Sequence, residues 1–494
     1  MGEPAAAAAI SVAAIPDRLD RNIATTGLMI AVAMQAADAL IANVALPHIE
    51  ADLGGGALMG AWVITAYLCA TAVLAPLTGW LRRRYGARRL FPGAIGLFVA
   101  ASLGCSLAPN AGLLILFRVL QGAGGGVMHP LSQAILLDIH PKERHGRMLA
   151  LWGAAAMLGP VLGPVIGGAI TDLASWRWVF AINLPLGALS VWCLRRARTR
   201  AEGDRDLSID GIGIVMLILG VGALQLCLQH GIGRSWLKSP ELIAEAAITV
   251  FAFAFLLLRA RRTRFAVVRG AVFRDVNFAT ATFYNFMLSA LLFVSVLFVP
   301  LLGEGPLGLP ATLAGAMVVP RALLMMVMML GMGQIINRVD MRILLASGWL
   351  LMAAGLAILS ALQPERGIVW VLVGSTVQAA GAGMLYTPLS TLAFSTLPVE
   401  LRTDAAGLFS LLRQLGYASG VAVMTAVLRL RVAAQLAHFA AARGGSHGPV
   451  SRSLANLATI HAYRDCFAMM SLTAVLVIPG IYLFRTVRRG PAAA

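Results

Sequence analysis

The chain has 494 residues, of which 59% are hydrophobic and only 12% are charged. Soluble proteins are about 45–50% apolar and about 25% charged, so the composition excludes an ordinary soluble globular domain. The net charge of +17 would indicate nucleic-acid binding in a soluble protein, but here the basic residues form short clusters beside apolar segments. Such clusters are typical of orientation in a membrane and attraction to anionic lipid, so no nucleic-acid partner is expected.

Fourteen apolar segments follow one another along the chain, and crossing a bilayer takes about 20 apolar residues. Their connections alternate in charge, because 27 of the 39 basic residues lie in every second connection and 9 in the others. Since Lys and Arg of short loops stay in the cytoplasm, the pattern predicts fourteen transmembrane helices with both termini cytoplasmic. The segments are 24–46, 57–81, 90–108, 111–137, 148–171, 178–194, 208–229, 241–258, 277–302, 308–336, 343–362, 367–395, 405–428 and 466–484.

The Ala-rich start, residues 1–23, lacks the basic opening of a secretory signal. We expect it to be a disordered cytoplasmic tail, followed by an uncleaved first helix. Residues 24–194 then form a predicted bundle of six helices.

Asp38 is the one acidic residue deep inside a segment of this first bundle. A charged Asp at such a depth costs roughly 2.5–3.5 kcal/mol on insertion scales, so intramembrane charges mark functional sites by default. Arg118, in the fourth segment, is the obvious partner. Three interpretations are open: Asp38 exchanges protons under the influence of Arg118, the two form a purely structural pair, or Asp38 is the counter-charge for cationic substrates.

The fifth segment contains GPVLGPVIGG at 159–168. Two Gly-Pro pairs remove backbone donors and bend a helix, and the small residues predict one flat face packed against a neighbour. The residues concerned are Gly159, Pro160, Gly163, Pro164, Gly167 and Gly168.

The rest of the chain repeats this plan after an insertion. Residues 195–207 are charged and predict a cytoplasmic linker, and 208–274 hold an inserted helix pair with its loop. Residues 275–490 predict a second six-helix bundle, in which 429–465 form a long external connection.

A short motif appears once in each half with the same spacing. Gly79, Arg84, Gly86 and Arg88 follow the second segment, and the related set follows the tenth; its members are Gly333, Arg338, Asp340 and Arg342. Two similar halves facing a midplane cavity are typical of transporters. We expect both copies to form a cytoplasmic gate.

Polar residues in other segments are candidates for the lining of a cavity, although hydrogen bonds between helices also serve folding. They are Asn43, Gln121, Asn183, Gln378, Tyr386, Arg413 and Gln414. Arg321 is a third intramembrane cation, and His129 is either a proton relay or a satisfied histidine. No nucleotide-binding loop, metal-binding His pair or serine elbow occurs, so we expect no enzyme, no metal and no cofactor, and an ion gradient as the energy source.

Several of these strings resemble the major facilitator superfamily, and specifically its fourteen-span drug:proton antiporter branch. They include MQAADALIANVALPHI (34–49), GWLRRRYGARR (79–89), FRVLQGAGGG (117–126), GPVLGPVIGG (159–168), WRWVFAINLPLG (176–187) and RQLG (413–416). In the loop motif Arg83 stands where many members carry Asp, which puts one contact between helices in doubt.

The resemblance implies two six-helix bundles that rock against each other, and efflux of small amphipathic compounds driven by inward proton flow across a bacterial inner membrane. It implies a proton-coupling role for Asp38 and Arg118. A periplasmic adaptor protein is an open alternative as a partner. An exporter of a natural metabolite, lipid or siderophore, a proton-coupled importer and a non-transporting membrane sensor are the competing functions.

Overall fold

The computed structural model describes residues 18–54, 56–196, 210–231, 239–262, 270–310, 313, 316–363, 367–442 and 452–484. These residues form helices and short connections, and no β-strand occurs among them. Thirteen helical stretches in this part of the chain are long and apolar enough to cross a membrane. The first helix, α1, packs among them and completes the fourteen spans that the sequence predicts.

The first half contains seven helices for six predicted spans, because the sixth segment is divided near Ile182. Its helices are α1 (Arg18–Leu53), α2 (Gly56–Tyr85), α3 (Ala87–Leu107), α4 (Ala111–Ile139), α5 (His145–Leu173), α6 (Trp176–Ala181) and α7 (Asn183–Arg196). Side chains cap several of them: Asn110 accepts a hydrogen bond from the backbone N–H of Leu113 at 2.9 Å and so starts α4.

The inserted pair and the second half are helical as well. They comprise α8 (Gly211–Gly231), α9 (Pro240–Arg262), α10 (Val276–Glu304), α11 (Val318–Ile335), α12 (Met341–Ser360), α13 (Gly367–Ser395), α14 (Arg402–Ala442) and α15 (Arg452–Val477). The inserted helices α8 and α9 pack on each other, and α8 lies against α2 and α14 at the border of the two halves.

Two predicted boundaries differ from the structure. Helix α1 begins at Arg18, so residues 18–23 of the expected disordered tail are helical, while 1–17 lie outside the described residues. In the expected connection 429–465, α14 continues without a break to Ala442 and α15 already begins at Arg452. The reason is composition, since the stretch RVAAQLAHFAAA contains neither Gly nor Pro and nothing in it ends a helix. Residues 197–207 of the predicted linker lie outside the described part, as do residues 208–209 and 443–451.

Glycines let the helices of the second half approach until their backbones touch. A Cβ at Gly355 of α12 would clash with the backbone nitrogen of Gln378, and one at Gly381 of α13 would clash with that of Met352. Apolar burial does not drive helices together in lipid, so close packing between small residues takes its place. The α12–α13 contact therefore depends on these positions.

The most extensive contacts between the two halves are those of α2 with α14 and of α5 with α11. The sequence repeat relates the second span to the tenth (α2 to α11) and the fifth to the thirteenth (α5 to α14). One contact is therefore the repeat image of the other, which is the arrangement of parallel repeats around an axis along the membrane normal.

Replacing Gly381 by Val should destabilise the protein, because the new side chain meets backbone that cannot move aside. Overpacking of this kind costs about 1–3 kcal/mol. The measurement is the apparent unfolding temperature of the purified protein in detergent. The matched control is Gly331→Val, since a Cβ at Gly331 has no atom within 4 Å. Equal unfolding temperatures for the two variants would contradict the packing argument.

Candidate functional site

Asp38 and Arg118 form a buried ion pair in the first half. Arg118 Nη1 lies 2.8 Å from Asp38 Oδ2, and the two side chains are only 0–1% exposed. Because the desolvation of two charges can exceed their attraction, such a pair persists only when further hydrogen bonds satisfy the remaining polar atoms.

Three neutral side chains supply those hydrogen bonds. Gln121 Nε2 donates to Asp38 Oδ1 at 2.8 Å, and Asn183 Nδ2 donates to the same oxygen at 2.7 Å. Both also donate to the Ser102 hydroxyl, at 2.7 Å and 3.2 Å. Since α1, α3, α4 and α7 each contribute, the carboxylate of Asp38 joins four helices, and both of its oxygens are occupied.

Arg118 has partners other than the carboxylate. Its guanidinium lies 4.2 Å from the centroid of the Tyr67 ring and 5.7 Å from that of Phe180. It also donates from Nη1 to Gln121 Oε1 at 2.6 Å and from Nε to the carbonyl oxygen of Val63 at 3.3 Å. Cation–π contacts that exclude water contribute about 2 kcal/mol. Arg118 therefore keeps favourable contacts even when the carboxyl group is neutral.

Glycines of α5 pack against the part of α1 that carries Asp38. A Cβ at Gly159 would clash with the backbone of Ala36, and one at Gly167 would come within 2.6 Å of Ile41. The two contacts lie on either side of Asp38 along α1, so the flat face predicted for 159–168 packs on the segment that carries the acid. Gly163 is buried and Gly168 is partly exposed, whereas the side chains of Pro160 and Pro164 lie outside the described residues.

A second polar contact joins the two halves. Arg413 Nη2 of α14 lies 3.0 Å from His129 Nε2 of α4. Arginine has no acceptor, so the imidazole nitrogen must accept, which requires a neutral His129. The ring also packs against Trp152, with centroids 4.5 Å apart. If His129 were protonated, Nε2 could no longer accept the hydrogen bond from Arg413, and two cations would be in contact. This hydrogen bond between the halves therefore forms only when His129 is neutral.

At the end of the molecule where α2 ends and α14 begins, which we call the arginine-rich end, ion pairs join the halves. Arg83 of α2 binds Asp404 in the first turn of α14, with 2.6 Å between Nη1 and Oδ1. Arg402 of α14 lies 3.5 Å from Asp138 of α4, and Arg82 binds the same carboxylate at 2.6 Å from within the first half. The halves are therefore closed against each other at this end.

The first motif copy lies beside these ion pairs. A Cβ at Gly79 would clash with the Asp404 side chain, so this glycine lets α14 approach. Gly86 has φ 73°, a left-handed conformation that glycine adopts without strain, and it separates α2 from α3. Arg84 stacks over Trp80 at 5.8 Å, and Arg88 is exposed.

The second copy has different contacts. Gly333 packs against Ala150 of α5 across the two halves, with 2.5 Å between that methyl and a Cβ placed there. Arg338 and Asp340 are exposed, and Asp340 caps α12. Arg342 donates to the carbonyl oxygen of Phe484 within its own half. Only the glycine of this copy lies at the contact between the halves.

The remaining candidates for a cavity lining are distributed over the second half. Gln378 binds Arg321, Tyr386 is buried beside Gly153 of α5, and Gln414 is partly exposed. The side chain of Asn43 lies outside the described residues. Gln121 and Asn183, predicted as cavity residues, instead bind Asp38 directly.

Sequence reasoning missed Ser102 and the acids at the arginine-rich end, Asp138 and Asp404. Both acids lie one residue outside a predicted span, at 137 and 405, and only their position opposite a cluster of arginines could have indicated a role. The departure at Arg83 is explained by the structure. An arginine facing a helix N-terminus would meet the positive end of its dipole, and Asp404 supplies the negative charge there.

At the opposite end of the first half, side chains of the segment WRWVFAINLPLG (176–187) bind the end of α1. The indole of Trp176 donates to Asp52 Oδ2 at 3.0 Å, and Arg177 binds the same oxygen. The hydrogen bonds from Arg177 and then Trp176 lower the pKa of Asp52. This contact lies within the first half and does not hold the two halves together.

Comparison with known proteins identifies the architecture. Residues 28–421 match the family model of the Major Facilitator Superfamily. The chain belongs to this superfamily. Multidrug export protein EmrB of Haemophilus influenzae is 35% identical over 405 residues, which cover 81% of this chain and 79% of that protein. Fatty acid resistance protein FarB of Neisseria gonorrhoeae is 32% identical over 420 residues, covering 84% and 82%.

Solved structures of the superfamily have the same fold at low sequence identity. The human organic anion transporter MFSD10 gives a TM-score of 0.61 at 14% identity and covers 95% of this chain and 100% of its own. The proton:xylose symporter XylE gives 0.59 at 15% identity, covering 92% and 94%. The predicted family and the predicted all-helical fold are confirmed, and the chain is a multi-pass membrane transporter rather than an enzyme.

Reversing one charge at the arginine-rich end should open it. Asp404→Arg places two cations together, and losing one partner of a buried ion pair costs about 3–5 kcal/mol. We expect a cysteine at Thr78, which is buried beside Gly79, to react several-fold faster with a membrane-impermeant maleimide added at this end.

The double variant Arg83→Asp with Asp404→Arg restores opposite charges and should slow the labelling again. Asp52→Arg, which breaks the ion pair at the opposite end, is the matched control and should leave Thr78 unreactive. Unchanged labelling in Asp404→Arg would contradict a closing role for the ion pair.

Proposed function

We propose that this chain is a proton-coupled efflux transporter that exports amphipathic drugs or toxic compounds from a bacterial cell by alternating access. The relatives support export. EmrB of Haemophilus influenzae, 35% identical to this chain, is named a multidrug export protein, and MdtP of Bacillus subtilis, 30% identical, is named a multidrug transporter protein. The observation that carries proton coupling is the buried Asp38–Arg118 pair, whose carboxylate has two hydrogen-bonded neutral partners and is the one acid deep in the first bundle.

The proton step follows from these contacts. A proton taken up from outside attaches to an oxygen of Asp38 and neutralises it, and Arg118 loses its counter-charge. The rings of Tyr67 and Phe180 and the amide of Gln121 then hold the guanidinium. When Asp38 releases the proton to the cytoplasm, the ion pair forms again. The neutral partners of Arg118 remain in both states and the ion pair is present in only one of them, so protonation changes the contacts of α1.

The arrangement of the halves supports alternating access. Ion pairs and glycine contacts close the arginine-rich end, which the distribution of basic residues predicts to be cytoplasmic. With this orientation and both termini in the cytoplasm, the described conformation corresponds to the outward-facing state. The contacts that must break for the inward-facing state are Arg83–Asp404, Arg402–Asp138 and Arg413–His129.

The proton gradient is a sufficient energy source for this function without a cofactor. One charge that crosses 100 mV releases about 2.3 kcal/mol, and one pH unit adds about 1.4 kcal/mol. Exchange of one proton for one neutral substrate therefore supports a substrate gradient of roughly a hundredfold. As a partner we include a periplasmic adaptor protein, for which the extension of α14 to Ala442 is the candidate contact.

A second candidate is export of an endogenous or toxic lipid. It is favoured by the similarity to FarB, which is named for fatty acid resistance and aligns with 84% of this chain. Both candidates use the same proton step and differ in the substrate.

Asp38→Asn should abolish proton-driven transport, because asparagine resembles the protonated acid and cannot exchange a proton. The measurement is accumulation of ethidium or N-phenyl-1-naphthylamine in inverted membrane vesicles with an imposed pH gradient. We expect a loss to the level of empty vesicles, while exchange of substrate across vesicles without a gradient is retained. Asp52→Asn removes another acid of α1, from its exposed end, and serves as control. Accumulation at the normal rate in Asp38→Asn would remove proton coupling from this residue.

A further inference from the structure

The two halves differ in the charges that lie within the membrane. The six predicted spans of the first half contain Asp38 and Arg118, which neutralise each other. The six spans of the second half contain Arg321 and Arg413 and no Asp or Glu at all. Arg413 has the neutral His129 as a partner. The predicted spans of the second half therefore have an excess of positive charge, whereas those of the first half balance.

Arg321 is a buried cation that has no counter-charge among the residues that the structure describes. It lies in the first turn of α11 and is 2% exposed. Its Nη2 donates to Gln378 Oε1 of α13 at 3.1 Å, and its Nη1 is buried without a hydrogen-bond partner among the described residues. A buried ion without a partner is strongly unfavourable, so this nitrogen marks a place for an acceptor.

The repeat indicates what is missing at this place. Gln121 and Gln378 occupy corresponding positions in spans 4 and 12, and each amide contacts a buried arginine. The shift of 257 residues between these two glutamines, three more than the shift between the motif copies, takes Asp38 of α1 to Ser295 of α10. Ser295 is fully buried, and its hydroxyl has no hydrogen-bond partner in the described part of the chain. In place of the carboxylate of the first half, the second half has a hydroxyl that can donate.

The site lies between α10, α11 and α13, since Gln378 Nε2 also reaches the carbonyl oxygen of Leu291, one turn before Ser295. Met325 and Met329 follow Arg321 along α11 at spacings of four residues, so the three side chains lie on the same face of the helix. Methionine side chains adapt to apolar ligands of varied shape. A charged head at Arg321 would thus adjoin an apolar, deformable surface.

We propose that Arg321, with Gln378 and Ser295, binds the anionic head group of an amphipathic substrate, a carboxylate or a sulfonate. This assignment rests on the proposed efflux function and names the substrate class that the second half accepts. The substrate's anion takes the place that Asp38 occupies in the first half. Substrate binding and proton binding are then separate, each in its own half, and a cationic substrate finds both oxygens of Asp38 already occupied.

The test compares two probes with the same ring system. One is 1-anilinonaphthalene-8-sulfonate, which carries a permanent negative charge, and the other is N-phenyl-1-naphthylamine, which lacks the sulfonate. Their uptake is measured in inverted vesicles that contain the full chain and an imposed pH gradient. For Arg321→Gln we expect uptake of the sulfonate to fall at least tenfold and uptake of the neutral amine to change less than twofold. Arg321→Lys keeps the charge and should retain part of the sulfonate uptake.

Arg429→Gln is the matched control, because it removes one exposed positive charge from the same half and should leave both probes unaffected. An equal loss of both probes in Arg321→Gln, with normal elution of the protein on size exclusion, would assign Arg321 to folding or gating and overturn the proposal. Sulfonate uptake that stays normal would overturn it too. If transport of the neutral amine depends on chloride in the wild type and not in Arg321→Gln, the anion is chloride instead of a substrate head group.

These results separate the two levels of the proposal. If the wild type accumulates neither probe under a pH gradient, the proposed efflux function fails. If it accumulates the neutral amine and the loss in Arg321→Gln does not discriminate between the probes, the efflux function stands and the anion site fails.

Discussion

A carboxylate and a guanidinium buried in a medium of low dielectric constant determine how the first half is built. Neither Asp38 nor Arg118 tolerates this environment alone, so the surrounding helices must provide hydrogen bonds in fixed places. Gln121, Ser102 and Asn183 come from three different helices to meet this requirement. The pair thus links the packing of four helices to the charge of one side chain, and in the proposed mechanism one proton changes these contacts.

Close backbone packing between α1 and α5 allows a shift of α1 to be transmitted to other helices. Gly159 and Gly167 bring α5 against α1 on either side of Asp38, and α5 in turn contacts α11 of the second half. A shift of α1 therefore reaches the interface between the halves through a helix that has no room to absorb it. The ion pairs of the arginine-rich end, together with the bond between Arg413 and the neutral His129, are the polar contacts that oppose separation there.

The two halves have the same helical architecture but differ in their buried charged residues. The first contains the complete ion pair and the second contains a cation whose counterpart is missing, although Gln121 and Gln378 keep corresponding positions. The internal repeat explains the common frame, and the spans of the second half contain neither Asp nor Glu. A transporter that exchanges a proton for another ligand needs two sites that do not compete for the same groups, and this division supplies them.

The sequence by itself determined the membrane-spanning, all-helical class, because the length of apolar segments and the side on which Arg lies are local properties. It also singled out Asp38 and Arg118, since any charge in a span is conspicuous. It did not place Gln121 and Asn183 on Asp38, or Asp404 opposite Arg83, because these contacts join residues 83 to 321 positions apart. It could not show that Arg118 is satisfied while Arg321 is not. Only the tertiary structure decided this, since whether a buried charge has a partner depends on which helices are neighbours and on how closely glycines let them approach.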